Sequence, residues 1–112
     1  MTALPGIGAL RDRVQLRRRV EVPDEVGGTA VAFMLVATLW ARVRELSATL
    51  GSVRDARTAG ASHAVVLRYR SDILPGDRLL ADGRVLEVLG TDDLNGRRAF
   101  LSCSCSEINS LG

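Results

Sequence analysis

Residues 63–89 constrain the fold more than any other stretch. They read His63-Ala-Val-Val-Leu-Arg-Tyr-Arg70, a turn at 71–76, Asp77-Arg-Leu-Leu-Ala81, a second turn at Asp82-Gly83, then Arg84-Val-Leu-Glu-Val-Leu89. Short aliphatic runs are punctuated by Pro75-Gly76 and Asp82-Gly83. Proline pre-sets φ for the first turn position, and glycine accepts the positive φ that a two-residue hairpin needs. Asp-Gly between apolar runs is the strongest short-range hairpin signal a sequence carries. The stretch therefore predicts three sequential antiparallel strands, a meander.

The rest of the chain continues in that style. Residues 1–9 are small and predict an arm rather than an element. From Arg13 the pattern alternates, with Val14, Leu16, Val20 and Val22 on one face and Gln15, Arg17, Arg19 and Glu21 on the other. That is a half-buried strand, interrupted on its apolar face by Arg18. A turn-rich connection at Pro23–Gly28 follows. Residues 29–46 are nearly all apolar at first, then alternate, with Ala37, Leu39, Ala41 and Val43 opposite Trp40, Arg42 and Arg44. They predict a strand kinked near Met34. Ser47–Ser62 is rich in Ala, Ser, Thr and Gly, and its large apolar residues are Leu50 and Val53. Such a segment has little surface to bury, so it predicts a long loop, with room for a short helix across Ser52–Ala59. Asn95-Gly96 marks another tight turn, and 97–105 alternates as a last strand before a frayed tail at 106–112. The sum is a mainly all-β chain of about six antiparallel strands, a small barrel or sandwich, because closure removes exposed edges.

Length sets one domain: 112 residues leave room for a single modest core. A hydrophobic share of 46% with 25% charge is that of an ordinary globular chain and argues against general disorder. The apolar run Ala30–Ala41 is about half of what spans a membrane, and the N-terminus lacks a signal-peptide pattern; no membrane partner is expected. Cys103 and Cys105, two apart in a strand, share a face and are poorly placed to bridge each other. With His63 the only histidine, they lack the company a metal site wants, and reduced, partly buried thiols are the expectation.

Chemistry is thin. No nucleophile elbow or Cys–His pairing accompanies His63, which at a strand start reads as a surface or capping residue. Asp92-Asp93 precede a turn and read as capping or solvating it. Gly6-Ile-Gly8 lacks the following helix and third glycine of a phosphate loop. Neither an enzyme nor a bound cofactor or metal is expected. The arginines remain: all 15 basic residues are arginine. Codon bias in a GC-rich genome is the plainer explanation; the functional one is that guanidinium forks suit fixed contacts to carboxylate or phosphate. Arg17-Arg18-Arg19 is either a solvated face or a contact to an acidic partner. Arg68-Tyr69-Arg70 is either a base-stacking platform or a strand end with Tyr69 in the core. Arg54 and Arg57 suit a bland loop and a DNA-facing one equally.

The order of these pieces is more specific than any one of them. Gly8-Ala-Leu-Arg-Asp-Arg13 leads into a strand; Asp24-Glu-Val-Gly-Gly28, Leu39-Trp-Ala-Arg-Val43, the small-residue loop and His63–Arg70 follow. Asp82-Gly-Arg84, Asn95-Gly-Arg97 and a closing strand with Leu101 and Cys103 before Glu107 complete it. This resembles the head-closure, or stopper, proteins of tailed bacteriophages, the head–tail joining family, over residues 6–107. The chain departs from that pattern in carrying Phe33 where tryptophan is more common, and in a loop poor in Glu and Gln.

The resemblance implies a small β-barrel of a phage or gene transfer particle, assembled as a six- or twelve-fold ring beneath the portal-associated adaptor. Loop 47–62 would close the exit channel over packaged double-stranded DNA, and the ring would dock a tail terminator or other tail protein below. On this reading Arg54 and Arg57 face phosphates in the channel, and Asp55 pairs with a neighbouring loop. Arg17, Arg18, Arg19, Trp40, Arg42 and Arg44 are the candidate contacts to other subunits or partners, and the arm 1–9 and tail 106–112 would order on adaptor or tail. The alternatives are another tail-side structural protein, such as a terminator, and a small-barrel nucleic-acid binder.

Overall fold

A computed structural model describes residues 10–46 and 60–108. It contains six strands: β1 (Asp12–Pro23), β2 (Thr29–Glu45), β3 (His63–Arg68), β4 (Arg78–Ala81), β5 (Arg84–Asp93) and β6 (Phe100–Ile108). All neighbours are antiparallel, and the sheet closes on itself in the order β1-β2-β3-β6-β5-β4. The expected all-β barrel of six strands is what forms.

Alternation fills the barrel. Val14 and Leu16 enter from β1, Ala41 from β2, Val65 and Leu67 from β3, and Leu79 and Ala81 from β4. Leu86 and Val88 enter from β5, and Leu101, Cys103 and Cys105 from β6. Within the barrel, alternate residues point inward because successive side chains leave a strand on opposite faces. The two cysteines are free and wholly buried, rather than partly so. Burial pushes the Cys103 thiol up to about 12 and that of Cys105 higher still, the latter helped by its neighbour Cys103.

Turn chemistry sets the register. Asp82 (φ 52°) and Gly83 (φ 79°) both take positive φ and join β4 to β5 as a two-residue hairpin. At the β1–β2 turn, Asp24 Oδ1 accepts the N–H groups of Val26 (3.1 Å) and Gly28 (2.8 Å). Between β5 and β6, a 3₁₀ turn at Leu94–Gly96 carries Asn95 at φ 58°, and Asp93 Oδ1 accepts the Arg98 N–H at 2.9 Å. Its position predicts a cap, but the Asp93 side chain does not cap the first turn; it closes the connection from behind by accepting from Arg98 beyond it.

The meander is corrected. β4 and β5 form the expected hairpin, but β3 pairs with β2 and β6, not with β4. The connection 69–77 crosses the barrel end instead. Ile73 plugs that end from within, and Tyr69 packs against the core as its alternative reading held. Pro75-Gly76 turns the chain not into a hairpin but into a tight loop, where Asp77 N–H donates to Leu74 O (3.0 Å) and Asp77 Oδ2 accepts the Leu74 N–H (3.0 Å). β5 is also longer than expected, and β6 is shifted along the chain, starting at Phe100 rather than at 97. β5 runs on through Asp93, and β6 continues to Ile108, so Ser106–Ile108 pairs with Val85–Glu87 rather than fraying.

β2 explains the shape. Seventeen residues at about 3.3 Å each reach about 56 Å, close to the molecule's long axis of 54 Å against 28 and 25 Å across. Only its last part, Ala41–Glu45, pairs with β3. On the other side β4 pairs with Val14–Arg17 of β1. Beyond the register shift at Leu16/Arg17, Arg18–Pro23 and Thr29–Met34 therefore leave the barrel as a two-stranded ribbon. The shift leaves Val36 of β2 as an extra residue, a β-bulge near the kink expected at Met34.

Candidate assembly surfaces

Three surfaces hold the residues singled out in the sequence. The first is the rim where the ribbon leaves the barrel. Arg18 lies on the inward face of β1 one step past the core residue Leu16. Its guanidinium donates to the Asp72 carbonyl and reaches Asp72 Oδ2 (3.6 Å) and Asp77 Oδ2 (3.7 Å). Asp77 is buried, so an arginine at this apolar-face position supplies the charge that its carboxylate needs. Arg70 grips Asp72 from the other side through Nε and Nη2, both at 2.9 Å. That hydrogen bond holds the Asp72 carboxyl below the usual carboxylate range and raises Arg70. Arg18 is thus committed within its own chain.

The second surface is the outer face of β1 and β2. Arg13, Gln15, Arg17 and Arg19 stand opposite Trp40, Thr38, Leu35 and Phe33. The Arg13 guanidinium lies 4.6 Å over the Trp40 ring, and Arg78 of β4 lies 3.9 Å over Phe33, both within cation–π range. Arg17 donates to Gln15 Oε1 (2.8 Å), and Arg19 meets Glu21 at 3.8 Å. A wide-open groove runs between Arg13, Gln15 and Arg17 on one side and Leu80 on the other. Beyond it the ribbon is unusually apolar for exposed strands: Val31 is 49%, Leu35 56%, Met34 58% and Val26, at the tip, 88% exposed.

The third surface is the wall made by β2 and β3. Arg42 and Arg44 alternate with inward Ala41 and half-buried Val43, so they project outward beside Val66 and Ala64. Arg68 is exposed at the end of the same wall. None of the three makes an ion pair with another described residue. At the wall's far end, Leu46 N–H donates to Ser62 O at 2.9 Å and closes the base of the 47–61 segment. The proposed channel residues Arg54, Asp55 and Arg57 lie outside the described residues, as do the arm 1–9 and residues 109–112.

His63 is the residue the sequence placed wrongly. It is not on the surface but 2% exposed, at the barrel end beside that loop base. Arg84 Nη1, which can only donate, approaches His63 Nε2 at 3.4 Å, so the ring proton belongs on Nδ1 and is directed to Ser62 Oγ at 2.8 Å. Ser62 Oγ also accepts the Glu107 N–H at 2.8 Å. The group ties β3, β5 and β6 together, and no local pattern in the sequence announces it, since its members are 21 and 45 residues apart. Among the described residues, no cluster of His, Cys, Asp or Glu is arranged to hold a metal ion.

The comparisons with known proteins agree with this architecture. The family model described as phage head completion protein matches residues 6–108. The solution structure of protein SF1141 from Shigella flexneri 2a is 28% identical, with a TM-score of 0.75, covering 95% of this chain and 99% of that one. A chain in the virion of a native gene transfer agent particle shares the fold at a TM-score of 0.59 and 21% identity, covering 86% and 93%. No curated protein sequence matches. With a match that runs from the residues before β1 to the last residue of β6, the chain belongs to the phage head completion protein family.

Proposed function

We propose that this head completion protein is a stopper: a ring of identical barrels that closes the DNA exit channel of a phage-like particle and presents a docking face for the tail. As a member of its family the chain is a structural component of the particle; ring, seal and tail docking are the reading advanced here. The observation that carries it is the family match over residues 6–108 on a barrel whose longest interstrand segment leaves from a closed base at Leu46 and Ser62. A plug must change position without unfolding its carrier. A segment whose described ends meet at Leu46 and Ser62 on a closed barrel, and which is too poor in apolar residues to fold alone, meets that requirement. Arg54 and Arg57 would face DNA phosphates, and Asp55 an arginine of a neighbouring loop. The partners are further copies, the portal-associated adaptor above, a tail protein below and the packaged duplex within. The role is structural, and no catalytic step is assigned.

Deleting the gene in a particle-producing strain tests the reading. Tailless heads that lose their DNA to nuclease, with free tails alongside, are the expected result. Intact tailed particles would reject the stopper role.

A further inference from the structure

The β1–β2 ribbon has two free backbone edges. β4 pairs with β1 only over Val14–Arg17, so Arg18–Pro23 has no partner strand on that side. β3 pairs with β2 only from Ala41 onward, so Thr29–Trp40 has none on the other side among the described residues. No backbone hydrogen bond from another described segment reaches that edge of β2. From Thr29 to Ala41 the chain has no charged residue, no proline and no glycine. Edge strands that stay in water are normally blunted by charge, proline or short length. Apart from its bulge at Val36, β2 has the sequence of an interior strand, yet Val31, Met34 and Leu35 are each about half exposed.

Because the barrel is closed, these two edges are the free ones among the described strands. A second copy could cover the β2 edge with its own β2 or with its β1. The first contact is two-fold and gives a pair without distinct ends. The second is heterologous and repeats by rotation into a ring with two unlike faces, as a connection between head and tail requires. Strand direction suits the second: when a copy is rotated about an axis along the ribbon, its β1 runs antiparallel to the first copy's β2, as within one chain. The side chains suit it too. The ribbon face that continues the barrel interior carries Val20 and Val22 of β1 and Ala30, Ala32 and Met34 of β2. Edge to edge, the neighbour's Val20 and Val22 lie beside those residues, and its Arg19 lies on the same side as Phe33, a ring that already holds a guanidinium. A slip of one residue would put Arg19 and Glu21 on the apolar side, so the register moves only in steps of two.

We infer that the free edge of β2, Thr29–Leu35, pairs antiparallel with the free edge of β1, Arg18–Pro23, of the next copy. The ribbons then join into one continuous sheet around the ring. The contact supplies hydrogen bonds to backbone groups that face water in a single chain, and closing the ring removes the last free edges. A two-stranded ribbon standing alone is marginally stable in water; here each is held between two neighbours. This rests on the ring reading above and names the edges by which the ring is made.

Disulfide trapping in purified particles tests it. Two versions of the chain are co-expressed, one with Val20→Cys and the other with Ala30→Cys, Ala32→Cys or Met34→Cys, which together cover the allowed registers. Each chain carries one new cysteine, and the native Cys103 and Cys105 are buried in the barrel, so a bridge formed on mild oxidation joins two chains. One of the three combinations should give covalent dimer at about tenfold or more over either chain alone, because residues opposite each other on paired strands lie within bridging reach. Separately, Ala32→Lys puts a charge at the seam, outside the barrel, and should lower the amount of the chain per particle about tenfold or more. Thermal unfolding of that purified variant shows that its barrel is intact, and the cross-link does not depend on it. No dimer from any combination, in particles that contain both chains, overturns the proposal. So does dimer from one version alone, which would mean two-fold pairing, or normal incorporation of a folded Ala32→Lys chain. Wild-type particles that hold no copy of the chain, or a single one, would instead overturn the ring reading.

Discussion

At the residue scale, the buried carboxylate of Asp77 and the arginine facing it carry more than their hydropathy suggests. Replacing Asp77 with alanine strips the Leu74 N–H of its acceptor and removes one of the two carboxylates near Arg18. Because Arg18 is one-third exposed and keeps Asp72, the cost falls below that of a fully buried pair, at about 2 kcal/mol, read from urea unfolding. An Asp77→Asn variant, which keeps an acceptor oxygen, should lose about half of that. The cysteines give a pH signature. Their pKa values are raised by burial, so the stability they contribute is complete below the unfolded-state value of about 8.5 and is lost as pH rises toward the folded values. Above about pH 9 stability should fall by about 1.4 kcal/mol per pH unit for each thiol, and Cys103→Ala with Cys105→Ala should flatten that slope. An unchanged slope would show that the thiols ionise without unfolding. These residues also mark what was legible. The inward face of Cys103 and Cys105 follows from period-two alternation alone. The burial of His63 and the internal commitment of Arg18 depend on partners 21 and 54 residues distant, which periodicity does not encode.

At the scale of elements, hydrophobic alternation located all six strands, and the hairpin signal at Asp82-Gly83 joined the right two. Pro75-Gly76 misled because turn residues specify that the chain reverses, not which strand it meets; the connection 69–77 uses that turn to cross the barrel end. The alternating pattern likewise did not show where pairing stops. Leu16 and Leu35 look alike in sequence and lie one step apart along the β1–β2 ladder, yet Leu16 is fully buried and Leu35 is 56% exposed. The bulge at Val36 and the end of the β4 pairing separate them. Leu16→Ala should therefore cost about 3 kcal/mol, and Leu35→Ala less than about 1 kcal/mol, measured side by side by chemical denaturation. Similar losses at both would mean that the ribbon is covered within the single chain. At Gly83 a Cβ meets nothing within 4 Å, so Gly83→Ala reports backbone strain at φ 79° alone, about 1 kcal/mol.

At the scale of the whole molecule, the barrel and the segment proposed as the plug are energetically separable, because the segment's two ends meet before it begins. Leu46 N–H and Ser62 O close its base, Glu45 pairs with His63, and the Ser62–His63–Arg84 group fixes the far side of the junction. Removing residues 50–60 shortens a closed loop, which changes closure entropy by about 1–2 kcal/mol, in the stabilising direction. The deletion variant should unfold cooperatively at a midpoint no more than about 5 °C below the wild type, and it should still join particles, since the barrel strands and the β1–β2 ribbon remain. Its particles should fill with DNA and then leak it to added nuclease. An unfolded deletion product would place the segment in the core and end its candidacy as a plug. A folded, incorporated variant whose particles retain DNA would move the seal to another part of the ring.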